Sequence, residues 1–367
     1  MRSLLVLALT FLIACSPRGE IRIAPEAAKV GAVQRIFIGT TRTADTAGAV
    51  YSGERSYSSG FARFDISIPP QRELGSLPWP KKGRPSDPSK EMLTVDAKIY
   101  DKSLDFRKEL SAEMARNKGA HREAVVFIHG FNNNFAEGLY RFAQMYHDME
   151  LPGVPVHYSW PSRGSVLGYA YDRDSALFAR DGLESLLTEV AKAGAQKIYI
   201  VAHSMGAHLT MEALRSAKLR NDSNLLSRIG GVMMISPDID VDVFRGQALA
   251  MGKLPQPFLI FTSQKDGALA LSATLARETN RLGNLSDVSK LGGLDVTLLD
   301  TSNIAAADTH LAPGTSPILL QLIRGARDID GALMRDAQSR VGLLPGAVLS
   351  FQGATQIVLR PVAELGR

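Results

Sequence analysis

Cysteine is nearly absent from this chain. Cys15 is the only one among 367 residues, so no intramolecular disulfide can form. Blocks of like charge are missing as well. The 42 Lys and Arg stand against 37 Asp and Glu, a net charge of +5 with no basic run, which argues for a solvated surface and against a nucleic-acid partner. No cysteine and histidine cluster has metal-ligand spacing and no glycine-rich phosphate loop occurs, so the sequence calls for no metal and no cofactor. Past the N-terminus no apolar run is long enough to cross a bilayer. What remains is a globular composition, 45% hydrophobic and 22% charged, with a large core expected.

The lone cysteine has an informative place. The chain opens MRSLLVLALTFLIACSPRG, with Arg2 as a positive start, an apolar stretch from Leu4 to Ile13, and the small Ala14 before a cleavage point. Residues 1–14 therefore read as a signal peptide. LIAC resembles the lipobox of bacterial lipoproteins, and that resemblance implies that Cys15 is lipidated and becomes the new N-terminus. Ser16 after it implies outer-membrane sorting. An acylated cysteine with several chains gives stable anchoring. Residues 15–33 read as a tether.

From residue 34 to about 330 apolar strands alternate with amphipathic helices. RIFIGTTR, FARFDISIP and MLTVDAKIYD read as strands, and the proline-dense 69–90 segment reads as an extended surface loop. EAVVFIHGFN is a continuous apolar strand ending in a glycine turn. It is followed by a helix with Phe135, Leu139, Phe142, Ala143 and Tyr146 on one face. VPVHYSW, a helix from Leu177, QKIYIVAHSMG, a further helix, and the strands IGGVMMISP, PFLIFTSQKD and LDVTLLDTSN continue the pattern to a last helix after Ser316. Such alternation predicts an α/β fold with a mostly parallel central sheet covered on both faces by helices. Residues 331–367 read as a β-rich C-terminal extension.

The stretch YIVAHSMGAHL nearly spells G-x-S-x-G, with Ala202 in place of the first glycine. It follows an apolar strand and precedes a helix, the context that lifts a serine above the carboxyl edge of a sheet. Ser204 is thus the candidate nucleophile. A serine hydroxyl needs a base, and the base an orienting acid. In the order Ser, acid, His, the one histidine after the elbow helix is His310, which makes it the candidate base. Asp266, after the second strand beyond the elbow, is the favoured acid; Asp238, Asp240 and Asp242 after the first strand remain as alternatives. His203 and His208 read as structural. The oxyanion would be held by the backbone N–H groups of Met205, next to the serine, and Phe131, in the turn after VVFIHGF. His129 reads as a loop-holding residue. Trp160, Arg163, Tyr169, Tyr171 and Arg173 are candidates for lining or capping the site.

With these residues in place the chain resembles a bacterial family of alpha/beta hydrolases of unassigned physiological role, here in lipoprotein form. The matching segments are RIFIGTTR, VVFIHGFNNNFAEGLYRFAQ, YSWPSRGSVLGYAYDRDSALFARD, VAHSMG, SPDIDVDVF and SQKDGALALS, in that order from Arg35 to near Arg327. The resemblance implies the alpha/beta-hydrolase fold, serine-ester chemistry at Ser204, and the partnership of Asp266 and His310. One segment departs from it: HLAP stands after the candidate base where that family tends toward HSYF.

Together these features predict a serine hydrolase in the bacterial cell envelope, lipid-anchored at the outer membrane and facing the periplasm. It would act on a small-molecule or lipid ester through an acyl-enzyme. An amidase or acyltransferase with the same triad, or a non-catalytic lipoprotein using the scaffold for binding, stand as alternatives.

Overall fold

The computed structural model describes residues 18–45, 50–116, 122–276, 281–306, 308–325, 346–351 and 354–359. The expected signal peptide, Cys15 and most of the 331–367 extension lie outside the described residues.

Among the described residues eleven strands form one sheet, in the order β10-β11-β9-β8-β7-β6-β4-β5-β1-β2-β3. Its parallel centre is β5 (Val154–Ser159), β4 (Glu123–Ile128), β6 (Lys197–His203), β7 (Ile229–Ile235), β8 (Phe258–Thr262) and β9 (Val296–Asp300). β5 and β8 are buried along their whole length, because helices cover both faces and leave no polar side. On one edge β1 (Ala32–Asp45) joins β5 in parallel and then turns back through β2 (Val50–Ile68) and β3 (Leu93–Tyr100). On the other, β10 (Gly346–Phe351) and β11 (Ala354–Leu359) form a hairpin, and β11 adds to β9 in parallel. The strands expected in the C-terminal tail thus extend the main sheet.

Side-chain alternation divides the core between the two faces. Val126 and Ile128 look toward α1 (Ser103–Arg116), α4 (Arg180–Lys192), α5 (Met205–Leu219) and α6 (Val241–Met251). On that side they meet Phe106, Leu183, Leu186, Leu209 and Phe244. Val125 and Phe127 look the other way, toward α2 (Phe135–Asp148) and α8 (Pro317–Gly325), and meet Leu139, Phe142 and Leu319. The helix read from Leu177 is instead two: α3 (Tyr169–Phe178) ends there, and α4 starts at Arg180 after the buried Ala179. α7 (Gly267–Ala276) follows β8. Among the described residues no helix is long and apolar enough to cross a membrane.

Two segments expected to be loose are held down. In the 69–90 loop, Trp79 stacks on Tyr140 at 5.1 Å. Arg72 donates to Asp148 (Nη1 to Oδ2, 3.0 Å) in a buried ion pair that Gly75 N–H and Gln144 also join. Residues 18–31, read as part of a tether, are likewise docked. Arg18 pairs with Glu137 and donates to Asn132, and Gly19 N–H donates to Glu137. Two aromatic faces and two ion pairs thus offset the entropy that an exposed loop or tether would retain.

Burial opposes the charge on Asp148, but the bonds from Arg72, Gln144 and Gly75 carry its pKa below the ordinary value. A depressed carboxylate stabilises the fold above its unfolded pKa, and that contribution is lost as pH falls through the folded one. Arg72→Ala, which leaves this buried carboxylate unpaired, is expected to cost about 3–5 kcal/mol at neutral pH. The loss should shrink as the pH is taken below the carboxylate range; urea unfolding of both proteins across pH 3–7 measures it.

Candidate active site

The site begins where β6 runs into α5. Ser204 occupies the turn with φ 52° and ψ −122°, a strained conformation that L-residues rarely adopt. Its N–H donates to Ile235 O (2.9 Å), and its carbonyl accepts from the N–H of Asp238 (3.2 Å). The next strand therefore holds the turn from both sides. The glycines around it leave no space for a side chain. A Cβ on Gly206 would lie 2.4 Å from the carbonyl oxygen of His129 and 2.7 Å from that of Ile128. One on Gly130 would lie 2.9 Å from the Cβ of Ser204. Ala202, two residues before the serine, sits fully buried in β6 between Ile128 and Met234, so its methyl group fits where the motif would have glycine.

Asp266 and His310 meet at the same end of the sheet. Asp266 lies between β8 and α7, and His310 lies in the loop after β9. The imidazole Nδ1 donates to Asp266 Oδ2 at 2.7 Å. The other carboxylate oxygen accepts from the N–H groups of Ala268 and Leu269 at 3.1 and 3.0 Å. Desolvation works against the Asp266 charge. The hydrogen bond and positive field of His310, with the Leu269 N–H and Ser236, outweigh it and hold the pKa below the usual value. The carboxylate thus stays ionised across the neutral range.

His203 fixes the position of His310. The two rings meet edge to face with centroids 4.6 Å apart, and His203 Nε2 donates to the backbone carbonyl of His310 at 3.2 Å. Burial and the neighbouring His310 keep the His203 pKa well below its ordinary value, so it remains a neutral donor. The residue adjacent to Ser204 in the chain therefore seats the imidazole contributed more than a hundred residues later. His208, one turn into α5, is half-buried, and burial lowers its pKa.

The three aspartates after β7 have other partners. Asp238 accepts from Tyr169 Oη (3.0 Å) and Ser272 Oγ (2.6 Å), and it pairs with Arg281 at 3.3 Å. Asp240 caps α6, accepting from the N–H groups of Asp242 and Val243, and Asp242 lies exposed in the first turn of that helix. It is Asp266 that contacts His310.

Above the elbow, the N–H groups of Phe131 and Met205 have no acceptor among the described residues. Phe131 packs edge-on against Tyr169 at 5.3 Å. The turn that carries Phe131 is braced from below. The buried His129 ring stacks on Trp160 at 4.9 Å and 11°, and its carbonyl accepts from the Trp160 indole at 2.7 Å. Arg42, only 2% exposed, donates to the carbonyls of Ser52, Asn133 and Ser162 and to Ser159 Oγ, all within 3.0 Å. Its second Nη approaches His129 Nε2 at 3.4 Å. Desolvation lowers the guanidinium to about 9, against the pull of Asp172 and Glu137, so it stays charged at neutral pH. Neither Arg42 nor His203 stood out in the sequence as a site residue. The available signal for Arg42 was a cation closing an apolar strand, IFIGTTR. Tyr171 lies between Arg55 and Arg163, at 4.4 and 4.0 Å from its ring, and Arg173 is exposed.

A strained serine between strand and helix, at the carboxyl edge of a mostly parallel, helix-covered sheet, defines an alpha/beta hydrolase. Residues 103–318, more than half of the chain, match the family described as alpha/beta hydrolase of unknown function (DUF900), and the chain belongs to that family. An uncharacterized protein of Nostoc, alr1448, is 32% identical over 136 residues, which cover 29% of this chain and 35% of that protein. The match thus spans about a third of that relative's length. Among solved structures, the chain is similar to a lipase-esterase related protein from Clostridium acetobutylicum (12% identity, TM-score 0.28, 58% of this chain and 95% of that one). It is also similar to a hydrolase from Oleispira antarctica (14% identity, TM-score 0.26, 58% and 84%).

Since the nearest obstacles at Gly206 are the backbone oxygens of Ile128 and His129 where β4 ends, Gly206→Ala forces the elbow away from that strand and is expected to cost about 1–3 kcal/mol. The midpoint of urea denaturation reads the change. An unaltered midpoint would mean that the elbow adapts without strain.

Proposed function

We propose that this protein is a serine hydrolase that cleaves carboxylic esters through an acyl-enzyme. The observation that carries the reading is the Asp266–His310 contact seated against the Ser204 elbow by His203. In the first step His310 Nε2 takes the proton of Ser204 as Oγ bonds to the ester carbonyl carbon. The carbonyl oxygen becomes an oxyanion facing the free N–H groups of Phe131 and Met205. The intermediate collapses, the ester C–O bond breaks, and the leaving alkoxide takes the proton from His310. Water, deprotonated by the same imidazole, then releases the acid and restores Ser204. Asp266 keeps the proton on Nδ1 and stabilises the imidazolium formed in each half.

The accompanying reading of the N-terminus is that Cys15 is acylated. The enzyme would then be held at the outer membrane of a bacterial envelope, facing the periplasm, with esters as its partners.

A fluorophosphonate probe should label the wild type and not Ser204→Ala; folded wild type that stays unlabelled would overturn the proposal. On a short p-nitrophenyl ester, Asp266→Asn is expected to lower kcat by about 10³–10⁴-fold, through loss of the correct imidazole tautomer. Activity unchanged in Asp266→Asn would remove Asp266 from the mechanism, and full activity in His310→Ala would remove the base.

A further inference from the structure

The turn after β5 carries two apolar side chains that the fold does not use. Val166 is 54% exposed and Leu167 is 94% exposed, the latter in a single helical turn with no apolar cover. Soluble surfaces carry single exposed apolar residues routinely, so exposure alone decides nothing. Position is what distinguishes this pair. Two residues later Tyr169 forms the wall of the site, against Phe131 and Asp238. Just before the pair, Gly164 lies against Arg18 and Asn134, in a space where a Cβ would come within 2.9 Å of the Arg18 guanidinium. Arg18 in turn is bonded to Asn132, in the Phe131 turn, and to Glu137 at the start of α2.

The described chain therefore begins at the rim of the candidate site. Two residues separate Arg18 from Cys15, and the three Cα-to-Cα steps between them span at most about 11 Å. A tether so short leaves the body little freedom to turn away from the surface that holds it. Arg18 pairs with Glu137 and Arg163 with Glu54, so what this turn offers a bilayer is its apolar side chains.

We propose that the 162–168 turn contacts a phospholipid bilayer, that the site mouth faces the membrane, and that the esters hydrolysed are lipids of that membrane. This rests on the esterase reading of Ser204 and on acylation of Cys15. Orientation by the short tether would present the site to acyl chains entering from the bilayer, with Val166 and Leu167 dipping among them.

The test uses full-length acylated protein in vesicles of phosphatidylcholine and phosphatidylglycerol with brominated acyl chains. Intact mass reports acylation of Cys15 independently. Leu167→Trp adds a reporter beside the native Trp79 and Trp160. Its added fluorescence should be blue-shifted and quenched by the bromines, whereas that of Leu249→Trp, on the exposed face of α6, should not. Absence of quenching at position 167 would overturn the proposed contact. Leu167→Asp should lower hydrolysis of phosphatidylglycerol in the vesicles by about tenfold or more while leaving a soluble p-nitrophenyl ester within about twofold. Equal losses on both substrates, no loss on either, or a wild type that cleaves only the soluble ester would each overturn the lipid-substrate assignment. A wild type inactive on both would overturn the esterase reading, while the quenching result would still decide the membrane contact.

Discussion

One buried cation organises the end of the sheet where the candidate site lies. Arg42 stands at an irregularity of β1, where the register with β2 shifts on both sides of it. A bulge re-aims a side chain; here the guanidinium lies buried among backbone carbonyls of three separate segments. Those carbonyls belong to β2, to the turn that carries Phe131, and to the loop that follows Trp160. A buried cation without these acceptors would cost several kcal/mol. The three segments are therefore mutually dependent. Asp172 supplies the opposite charge nearby, and it receives Ser162 Oγ and the N–H groups of Arg163 and Asn132. The turn that carries Phe131 is fixed from beneath.

Much of this was legible from the chain alone, for a definite reason. The central strands are largely buried on both faces, so they read as mostly apolar runs, and the helices between them carry apolar stripes. Their alternation leaves one fold class. Chain order and strand ends restrict the choices for an acid and a base, and the structure brings Asp266 and His310 into contact, with His203 against His310. Chain order favoured Asp266 over Asp238 without settling between them. Both follow a strand and both are buried, and only the three-dimensional paths show Asp238 occupied by Tyr169, Ser272 and Arg281.

Other parts were hidden because they depend on distant partners. Residue composition marked the 69–90 segment as an extended surface loop and did not show that Trp79 and Arg72 find Tyr140 and Asp148 on α2. Residues 18–31 look like a tether until Arg18 meets Glu137. His203 read as structural, but its partner was hidden, since that partner is the backbone and ring of a residue over a hundred positions away. In each case a single long-range contact outweighs the local pattern. Arg42 is the clearest example, a polar residue whose four acceptors are scattered across more than a hundred residues.

The strained backbone of Ser204 has a consequence for how this protein would change under selection. A left-handed conformation of this kind costs about 1–3 kcal/mol at a non-glycine residue, and glycine adopts it freely. Variants screened only for abundance or heat resistance would therefore be drawn toward glycine at position 204, the residue on which the proposed chemistry rests. Selection for folding and selection for turnover would oppose each other at one codon. A lineage released from the need for catalysis would have a physical incentive to erase that codon first.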